Sequence, residues 1–284
     1  MGKTESRKSL TYVDGTWHEE TPRVLGPDHH AMWLASVVFD GARSLARKAP
    51  DLDLHCARVI RSARYLGLAP ELTGPEIEKL AWDGINQFPA DAELYLCPMF
   101  YAESGFVVPD PESTKFVFAI HDAPLPAADG FSACLSSFRR PGRDMAPTDA
   151  KASCLYPNVA RCVREAKEKG FDTAVVLDPI GNVAEFAYTN LFIAKDGAVH
   201  TPAINGTFLN GITRQRVIQL LRDDGVEVVE RAIEFADVLD ADEVFASGNF
   251  AKVHPCTRVE DRHLQAGPMY LRARELYFGF AEGE

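Results

Sequence analysis

The sequence predicts a mixed α/β (α+β) fold built from two domains, and three observations support this. Strand-like and helix-like segments alternate along the chain, a stretch rich in proline and alanine divides it, and neither half contains an internal repeat. We therefore assign residues 1–121 to an N-terminal mixed α/β domain and residues 122–130 to an interdomain linker. Residues 131–284 form a C-terminal mixed α/β domain that carries Lys151.

Composition and charge limit the classes of function. The chain has 284 residues with 46% apolar content, enough to bury a large core. A formal net charge of −11 argues against nucleic-acid binding, which requires basic surface. The polar amino terminus and the lack of a long apolar run argue against a membrane location. The six cysteines form no CxxC pair or compact His/Cys cluster, which predicts reduced thiols, no metal site and a cytoplasmic protein.

The first half contains strand and helix signals in the following order. Residues 10–14 predict a strand that enters a turn at Asp14 and Gly15, and residues 31–44 mix apolar residues with Gly41. Residues 54–66 have helical spacing, and Thr73 with Glu76 predicts a capping box for a helix that continues to Phe88. Residues 93–101 and 115–121 predict apolar strands.

The second half begins with a strand at residues 131–138 and a loop at 139–150 that leads to Lys151. Pro157 suits the first turn of a helix that continues to Lys169. Residues 173–177, 183–187 and 190–194 predict a mostly antiparallel meander, and Thr213 predicts the cap of a helix that ends at Gly225. Strands at residues 227–232, 243–246 and 252–256 complete this half.

Three features of the second half could together hold pyridoxal phosphate. Lys151 follows a proline-containing loop, and burial would favour a neutral, nucleophilic amine. Glu185 lies in an apolar strand, where its carboxylate needs a positive or hydrogen-bonding partner such as a protonated pyridine nitrogen. Gly211, Ile212 and Thr213 begin a helix whose first amides can bind a phosphate. A surface lysine, a solvent-facing glutamate and a simple threonine cap are the alternative interpretations.

Short motifs in conserved order indicate a known family. They are SVVFDGAR at 36–43, HCAR at 55–58, ELYLCP at 93–98, PTDAK at 147–151, EFAYTNLF at 185–192, LNGITR at 209–214 and SGN at 247–249. With these motifs the chain resembles the class IV, or fold-type IV, pyridoxal-phosphate aminotransferases. That family includes branched-chain aminotransferases, D-amino acid aminotransferases and aminodeoxychorismate lyases. The resemblance covers nearly the whole chain and implies a homodimer in which the cofactor binds between two domains.

The resemblance also implies a role for each cofactor-binding residue. Lys151 would form the Schiff base and serve as the catalytic acid and base, Glu185 would pair with the pyridine nitrogen, and Tyr156 would approach the ring hydroxyl. The phosphate would be held by Arg58, Gly211, Ile212, Thr213 and Asn249. Asn249 stands where many relatives have threonine. Without the motif, Arg58 would be interpreted as a solvent-exposed arginine on a helix.

Substrate choice depends on a second set of residues, and here the chain departs from its relatives. The substrate pocket implied by the resemblance comprises Leu34, Phe39, Tyr95, Cys97, Arg140 and Phe250. Branched-chain aminotransferases have arginine where this chain has Cys97, and a pocket tyrosine is replaced by Leu34. Phe39, Gly41 and Arg43 keep the branched-chain pattern. Arg139 and Arg140 are candidates for a substituted carboxylate clamp, with solvent-facing loop arginines as the equal alternative.

The function implied is a ping-pong transamination from a hydrophobic, branched-chain-like amino acid to a 2-oxo acid. An (R)-selective amine transaminase, which uses amines without a carboxylate, is the main alternative and is favoured by Cys97. An aminodeoxychorismate lyase-like enzyme and a non-catalytic pyridoxal-phosphate binder are further alternatives. The D-amino acid branch is disfavoured because no Arg-x-His signature follows Tyr95.

Overall fold

The computed structural model describes residues 8–283, which divide into two compact units. Unit 1 comprises residues up to 125 together with residues 150–154, and unit 2 comprises residues 126–149 and those from 155 onward. The domain limits at residues 122–130 stay a prediction, and the polar amino terminus, residues 1–7, lies outside the described residues. Lys151, which we assigned to the second half, packs within unit 1 instead. A β-bridge between Val38 and Ala152 draws this short segment there.

Unit 1 is built on an antiparallel sheet of six strands. They are β1 (Ser9–Val13), β2 (Thr16–His18), β3 (Val37–Phe39), β4 (Ala42–Leu45), β5 (Glu93–Ala102) and β6 (Thr114–Asp122). The strand order is β2-β1-β6-β5-β3, and β4 also pairs with β5. Three helices accompany the sheet: α1 (His30–Leu34), α2 (Leu52–Tyr65) and α3 (Gly74–Ile85). A short 3-10 helix, Pro111–Ser113, precedes β6.

The elements of unit 1 follow local sequence signals where these are strong. The capping box of α3 is confirmed, since the Thr73 amide donates to Glu76 Oε2 at 2.7 Å. Alternation along β5 buries Leu94 and Leu96 in the core shared with α2 and α3. The segment at residues 31–44, which mixes apolar residues with Gly41, contains α1 from Ala31 onward, β3 and most of β4.

Unit 2 contains a nine-stranded sheet. Its strands are β7 (Phe131–Arg139), β8 (Thr173–Leu177), β9 (Val183–Phe186), β10 (Asn190–Lys195), β11 (Ala198–Pro202), β12 (Val228–Arg231), β13 (Glu243–Gly248), β14 (Lys252–Val259) and β15 (Arg262–His263). The order is β12-β11-β10-β13-β14-β7-β8-β9, and β15 pairs with β14. The helices are α4 (Tyr156–Glu168), α5 (Ile212–Asp223), α6 (Phe235–Asp240) and α7 (Pro268–Glu282).

Two expectations for unit 2 were wrong in part. β8 and β9 pair antiparallel as expected, but the meander does not continue, because β10 pairs with β11 and β13 instead of β9. A turn in which the Phe186 amide donates to the Thr189 carbonyl at 2.9 Å leads the chain away from β9. Thr213 does not cap α5; Gly211 occupies the N-cap position and Thr213 lies in the first turn. Helices α6 and α7 were not predicted.

The described residues also give three general findings. Within residues 8–283, no helix is both long and apolar enough to cross a bilayer. In the same range, no group of three or more His, Cys, Asp or Glu side chains is arranged to hold a metal ion. All six cysteines are free thiols.

Candidate active site

One face of the unit 1 sheet carries half of the residues predicted for the substrate pocket. Tyr95 and Cys97 alternate along β5 with the core residues, so they share the opposite face of the strand. Phe39 pairs with Met99 of β5, which places Phe39 on that same face. The ring of Tyr95 stacks on that of His121, with centroids 5.3 Å apart. Three of the six predicted pocket residues are thus brought together on one face.

Lys151 lies beside this group. Its backbone amide donates to Ser62 Oγ at 3.0 Å, and its carbonyl accepts a hydrogen bond from the Phe39 amide at 3.1 Å. The Nζ atom lies 4.8 Å from the centre of the Phe39 ring. The backbone of Lys151 is therefore fixed on both sides, and its amine is positioned over an aromatic face.

Arg58 is held by a buried aspartate that sequence reasoning missed. Asp40 Oδ2 accepts from Arg58 Nε at 2.6 Å, and Oδ1 accepts from Nη2 at 2.8 Å. The Asp40 carboxylate also meets His55 Nδ1 at 2.7 Å and the Gly41 amide at 2.7 Å. The signal was available, because Asp40 lies inside the motif at residues 36–43. Arg58 is thus an oriented guanidinium and not a solvated helix charge.

Electrostatics keeps Asp40 ionised. Its complete burial would raise the pKa of the carboxyl, but the charge and hydrogen bonds of Arg58, and then those of His55, outweigh burial and hold the pKa well below its ordinary value.

For Cys97, the effect of burial on the pKa is the largest and is not outweighed. Burial raises the pKa of its thiol to about 12, the charge of Asp40 adds to this, and that of Lys151 opposes it. Cys97 is therefore a neutral group at pH 7.

Leu34 and Arg43 occupy other parts of unit 1. Leu34 is the last residue of α1 and is 41% exposed, and Ala35 after it adopts a left-handed backbone with φ 56°. Arg43 is buried in β4 and donates to the carbonyl of Ala123. Burial lowers the pKa of the Arg43 guanidinium. Arg43 therefore contributes to the internal structure of unit 1 next to the predicted linker.

In unit 2, Glu185 is a buried carboxylate with two neighbours. Only 7% of Glu185 is exposed, which excludes the solvent-facing interpretation. Arg140 Nη2 lies 2.6 Å from Glu185 Oε1, and Asn190 Nδ2 donates to Oε2 at 3.3 Å. Arg140 also donates to the Ala187 carbonyl at 2.8 Å. The guanidinium that we considered as a substrate clamp is therefore bound to Glu185, whereas the exposed Arg139 donates to the carbonyls of Asp178 and Pro179.

Asn190, which sequence reasoning also missed, connects Glu185 to the start of α5. Its Nδ2 also donates to the Leu209 carbonyl at 3.1 Å. A Cβ atom on Gly211 would collide with Asn190 Oδ1, so glycine is required for close approach. Ile212 and Thr213 follow in the first turn of α5, where the amides have no partner within the helix. The Asn190 signal was its place in the motif at 185–192.

The remaining predicted residues of unit 2 lie on the turn between β13 and β14 and at the start of α4. Asn249 lies between β13 and β14, and its Oδ1 accepts from Lys252 Nζ at 2.8 Å. Phe250 is 54% exposed and lines a cavity of about 280 Å³ together with the start of β7 and the end of β13. Tyr156 is the first residue of α4 and is 36% exposed. Ser247 Oγ is buried without a hydrogen-bond partner among the described residues.

The donor set fits pyridoxal phosphate. Unit 2 provides a buried carboxylate for a ring nitrogen, helix amides for a phosphate, and a buried hydroxyl, Ser247 Oγ, that needs a partner. Unit 1 provides an oriented guanidinium at Arg58 and the amine of Lys151, which lies 4.8 Å from the centre of the Phe39 ring. These are the chemical groups that such a cofactor requires.

Comparison with known proteins gives consistent relatives. Residues 37–259 match the family described as amino-transferase class IV. A crystal structure of an aminotransferase from Brucella abortus bound to the cofactor PLP is 48% identical, covers 97% of this chain and 100% of its own, and superposes with a TM-score of 0.96. A branched-chain aminotransferase from Thermoproteus uzoniensis, with norvaline, is 28% identical over 98% of this chain and 96% of its own, with a TM-score of 0.90. The branched-chain-amino-acid aminotransferase of Pseudomonas aeruginosa is 29% identical and covers 98% of this chain and 94% of its own.

Proposed function

The chain belongs to the class IV aminotransferases, and we propose that it moves the amino group of a hydrophobic, branched-chain-like amino acid to a 2-oxo acid by a ping-pong mechanism. It is a pyridoxal-phosphate-dependent aminotransferase of fold type IV. The observation that carries the proposal is the buried Glu185 carboxylate, which is held by Arg140 and Asn190. A carboxylate fixed in this way can keep a ring nitrogen protonated.

Pyridoxal phosphate, when bound, supplies an aldehyde and an electron-withdrawing ring that stabilises negative charge at the substrate α-carbon. In the proposed mechanism the Lys151 amine attaches the cofactor covalently. The substrate amine would then release the Lys151 amine, and the freed Lys151 amine would move a proton at the substrate α-carbon. Glu185 holds a proton on the ring nitrogen, and the Tyr156 hydroxyl donates a hydrogen bond to the ring oxygen. A keto acid then accepts the amino group through the reverse steps.

Four groups are proposed to bind the phosphate. Arg58 contributes a guanidinium whose Nε and Nη2 are bound to Asp40, an arrangement that turns Nη1 away from the aspartate. The amides of Ile212 and Thr213 contribute the positive end of α5, and Gly211 permits close approach. Asn249 contributes its side-chain amide. The net charge of −11 means that the phosphate must be bound by such local groups and not by a general basic surface.

The proposed donor pocket is apolar and uncharged. Phe39, Tyr95 and Cys97 share one face of unit 1, and the Cys97 thiol is neutral because burial raises its pKa to about 12. Leu34, which is 41% exposed, adds apolar surface to the proposed pocket. The related Pseudomonas aeruginosa enzyme is a branched-chain-amino-acid aminotransferase, and the Thermoproteus uzoniensis structure contains norvaline. These relatives favour a hydrophobic amino acid.

An amine transaminase is the second candidate, because a neutral Cys97 offers no cation for a carboxylate. Steady-state rates with leucine and with a chiral aryl-alkyl amine as donors, each with pyruvate and with oxoglutarate, separate the two. We expect leucine to be the better donor. Negligible leucine turnover beside rapid amine turnover would reject the proposal in favour of the amine.

Two substitutions test the roles of Lys151 and Glu185. Lys151→Ala should abolish the visible absorption of lysine-bound pyridoxal phosphate, and an unchanged spectrum would contradict the assignment of this lysine. Glu185→Gln should leave cofactor binding largely intact and slow turnover by about 10²- to 10³-fold, as the loss of one charge-stabilising group does in other enzymes. Near-wild-type turnover would remove Glu185 from the mechanism.

We further propose that the enzyme is a homodimer. The loop between β5 and β6 exposes Phe106, Val107 and Val108, which are 80%, 73% and 73% accessible. Three adjacent apolar residues of this exposure suit contact with a second copy of the chain. Light scattering should give a molar mass of about twice 31.3 kDa. A monomer that retains full activity would contradict this assignment.

A further inference from the structure

A buried lysine lies three residues after Asn249, and sequence reasoning gave it no role. Lys252, the first residue of β14, is 1% exposed and adopts a left-handed backbone with φ 62°. It pairs with Gly248 across β13 and β14. Left-handed backbone is uncommon for a residue other than glycine, and complete burial of an ammonium is costly. Such a residue needs an explanation beyond packing.

The contact that Lys252 makes determines the orientation of a neighbouring amide. Lys252 Nζ donates to Asn249 Oδ1 at 2.8 Å. An asparagine amide has one acceptor end and one donor end, and these exchange when the group rotates by half a turn. An ammonium can only donate, so it selects the rotamer whose oxygen faces Lys252. The Nδ2 donor of Asn249 is thereby turned away from the lysine.

An anion is the ligand that this arrangement suits. A phosphate oxygen accepts hydrogen bonds, so only the Nδ2 end of Asn249 can serve it, and the opposite rotamer would present a repelling oxygen. The Lys252 ammonium also brings a positive charge to the far side of the same amide, which polarises its N–H groups. Burial strengthens both effects because water does not screen them.

We infer that Lys252 is a positioning residue for the cofactor phosphate, which acts by orienting the Asn249 amide so that Nδ2 donates to a phosphate oxygen. The inference rests on the proposed role of Asn249 in phosphate binding. Asn249 and Lys252 then form one functional pair. A hydroxyl at position 249 would need no such partner, because it can rotate to donate in any direction.

A purely structural role for Lys252 makes a different prediction. Its Nζ lies 5.7 Å from the centre of the Tyr277 ring in α7, so the side chain also contributes to packing. Loss of packing would lower the stability of the fold and the affinity for every ligand alike. Loss of the oriented amide would lower the affinity only for ligands that carry a phosphate, and only while residue 249 is asparagine.

The test compares pyridoxal phosphate with pyridoxal, which has the same ring and aldehyde without the phosphate. Dissociation constants of both are measured on apoenzyme by the change in protein fluorescence, for the wild type, Lys252→Met, Asn249→Thr and the double variant. Lys195→Met, which alters a partly exposed lysine of the same unit that pairs with Asp240, is the matched control. Thermal unfolding of each apoenzyme reports on packing.

We expect Lys252→Met to raise the dissociation constant of pyridoxal phosphate about tenfold, which is the effect of one charge-assisted hydrogen bond. The dissociation constant of pyridoxal should not change. In the Asn249→Thr background the same change should have no such effect. Equal weakening of both ligands, or an equal effect in the threonine background, overturns the inference while the proposed function stands. If the wild type binds both ligands equally, the phosphate site itself is wrong. Should Lys252→Met fail to fold, Lys252→Leu, which also lacks a donor, provides the same comparison.

Discussion

Arg140 Nη2 lies 2.6 Å from Glu185 Oε1, and the two side chains are only 12% and 9% exposed. The carboxylate proposed to serve the cofactor ring is thus itself held by a buried cation. In our proposal Arg140 acts indirectly, because it holds the Glu185 carboxylate that contacts the ring and does not contact the ring itself. Because both charges have left water, removal of one partner is far more costly than loss of a surface ion pair.

Arg140→Met should therefore reduce turnover strongly. Methionine fills similar volume but leaves Glu185 without its ion-pair partner, at a cost of about 3 kcal/mol. If half or more of this is lost from transition-state stabilisation, kcat falls by about 10- to 100-fold. Steady-state kinetics at saturating cofactor measures this. The control is Arg139→Met, because the Arg139 side chain donates to the backbone carbonyls of Asp178 and Pro179. Equal losses of kcat in the two variants would contradict a specific role for Arg140.

Gly211→Ala tests the second support of Glu185. The new Cβ would collide with Asn190 Oδ1, although the backbone of Gly211 (φ −59°) suits alanine. Asn190 must then move, which disturbs its hydrogen bonds to Glu185 and to the Leu209 carbonyl. We expect the affinity for pyridoxal phosphate to fall at least about tenfold, since roughly one to two hydrogen bonds are lost. Calorimetric titration of the apoenzyme measures it.

The control for this substitution is Gly74→Ala, at the start of α3. A Cβ there meets its nearest atom at 3.9 Å, which is ordinary contact. Gly74 lies in unit 1, whereas Asn190 and Glu185 lie in unit 2, so this variant should bind pyridoxal phosphate as the wild type does. If Gly211→Ala binds the cofactor as the wild type does, the Asn190 bridge is not needed for binding.

Asp40→Asn should weaken the fold in a pH-dependent way. Arg58 and His55 hold the pKa of the Asp40 carboxyl well below its ordinary value of about 3.9, although burial alone would raise it. A carboxyl whose pKa is lowered by folding contributes stability above its unfolded pKa, and this contribution disappears as pH falls toward the folded pKa. The variant should be less stable by about 3 kcal/mol at pH 7.

Urea unfolding at pH 7, 5, 4 and 3 provides the measurement. The difference between wild type and Asp40→Asn should shrink below about pH 4, where the unfolded carboxyl becomes protonated. Asp224→Asn is the control, because Asp224 also pairs with an arginine, Arg272, but at the surface. Its effect should be small. A difference for Asp40→Asn that does not vary with pH would show that its charge is not the cause.

Local signals in the sequence predicted part of this fold for identifiable reasons. The α3 capping box is encoded within four residues, and the alternation of β5 reports directly on its buried face. The failures involve contacts distant in sequence. Which strand pairs with β10 depends on β13, some 50 residues later, and no local pattern specifies it. The same holds for Lys151, whose segment is drawn to β3 in unit 1.

The candidate site shows the same division. Lys151, Glu185 and Gly211 were identified because each has a chemical task that its residue type reveals. Asp40, Asn190 and Lys252 support other side chains, and their roles become visible only when hydrogen bonds are seen. Arg140 was identified as a charge of interest, but its partner Glu185 lies 45 residues away, so the sequence could not distinguish a clamp from a support.

Cys97→Arg tests whether this position sets substrate preference. The Cys97 thiol is neutral at pH 7, since burial raises its pKa to about 12, and it lies on the face of β5 that also bears Tyr95. An arginine there would offer a fork of donors to a second carboxylate, a pairing worth about 1.5 to 3 kcal/mol. The ratio of kcat/KM for oxoglutarate to that for pyruvate should rise by about tenfold or more. Cys97→Ser, which keeps the size and neutrality of the side chain, should leave this ratio unchanged. An equal shift of the ratio in both variants would place the specificity-determining contact elsewhere in the pocket. The same conclusion follows if Cys97→Arg does not change the ratio.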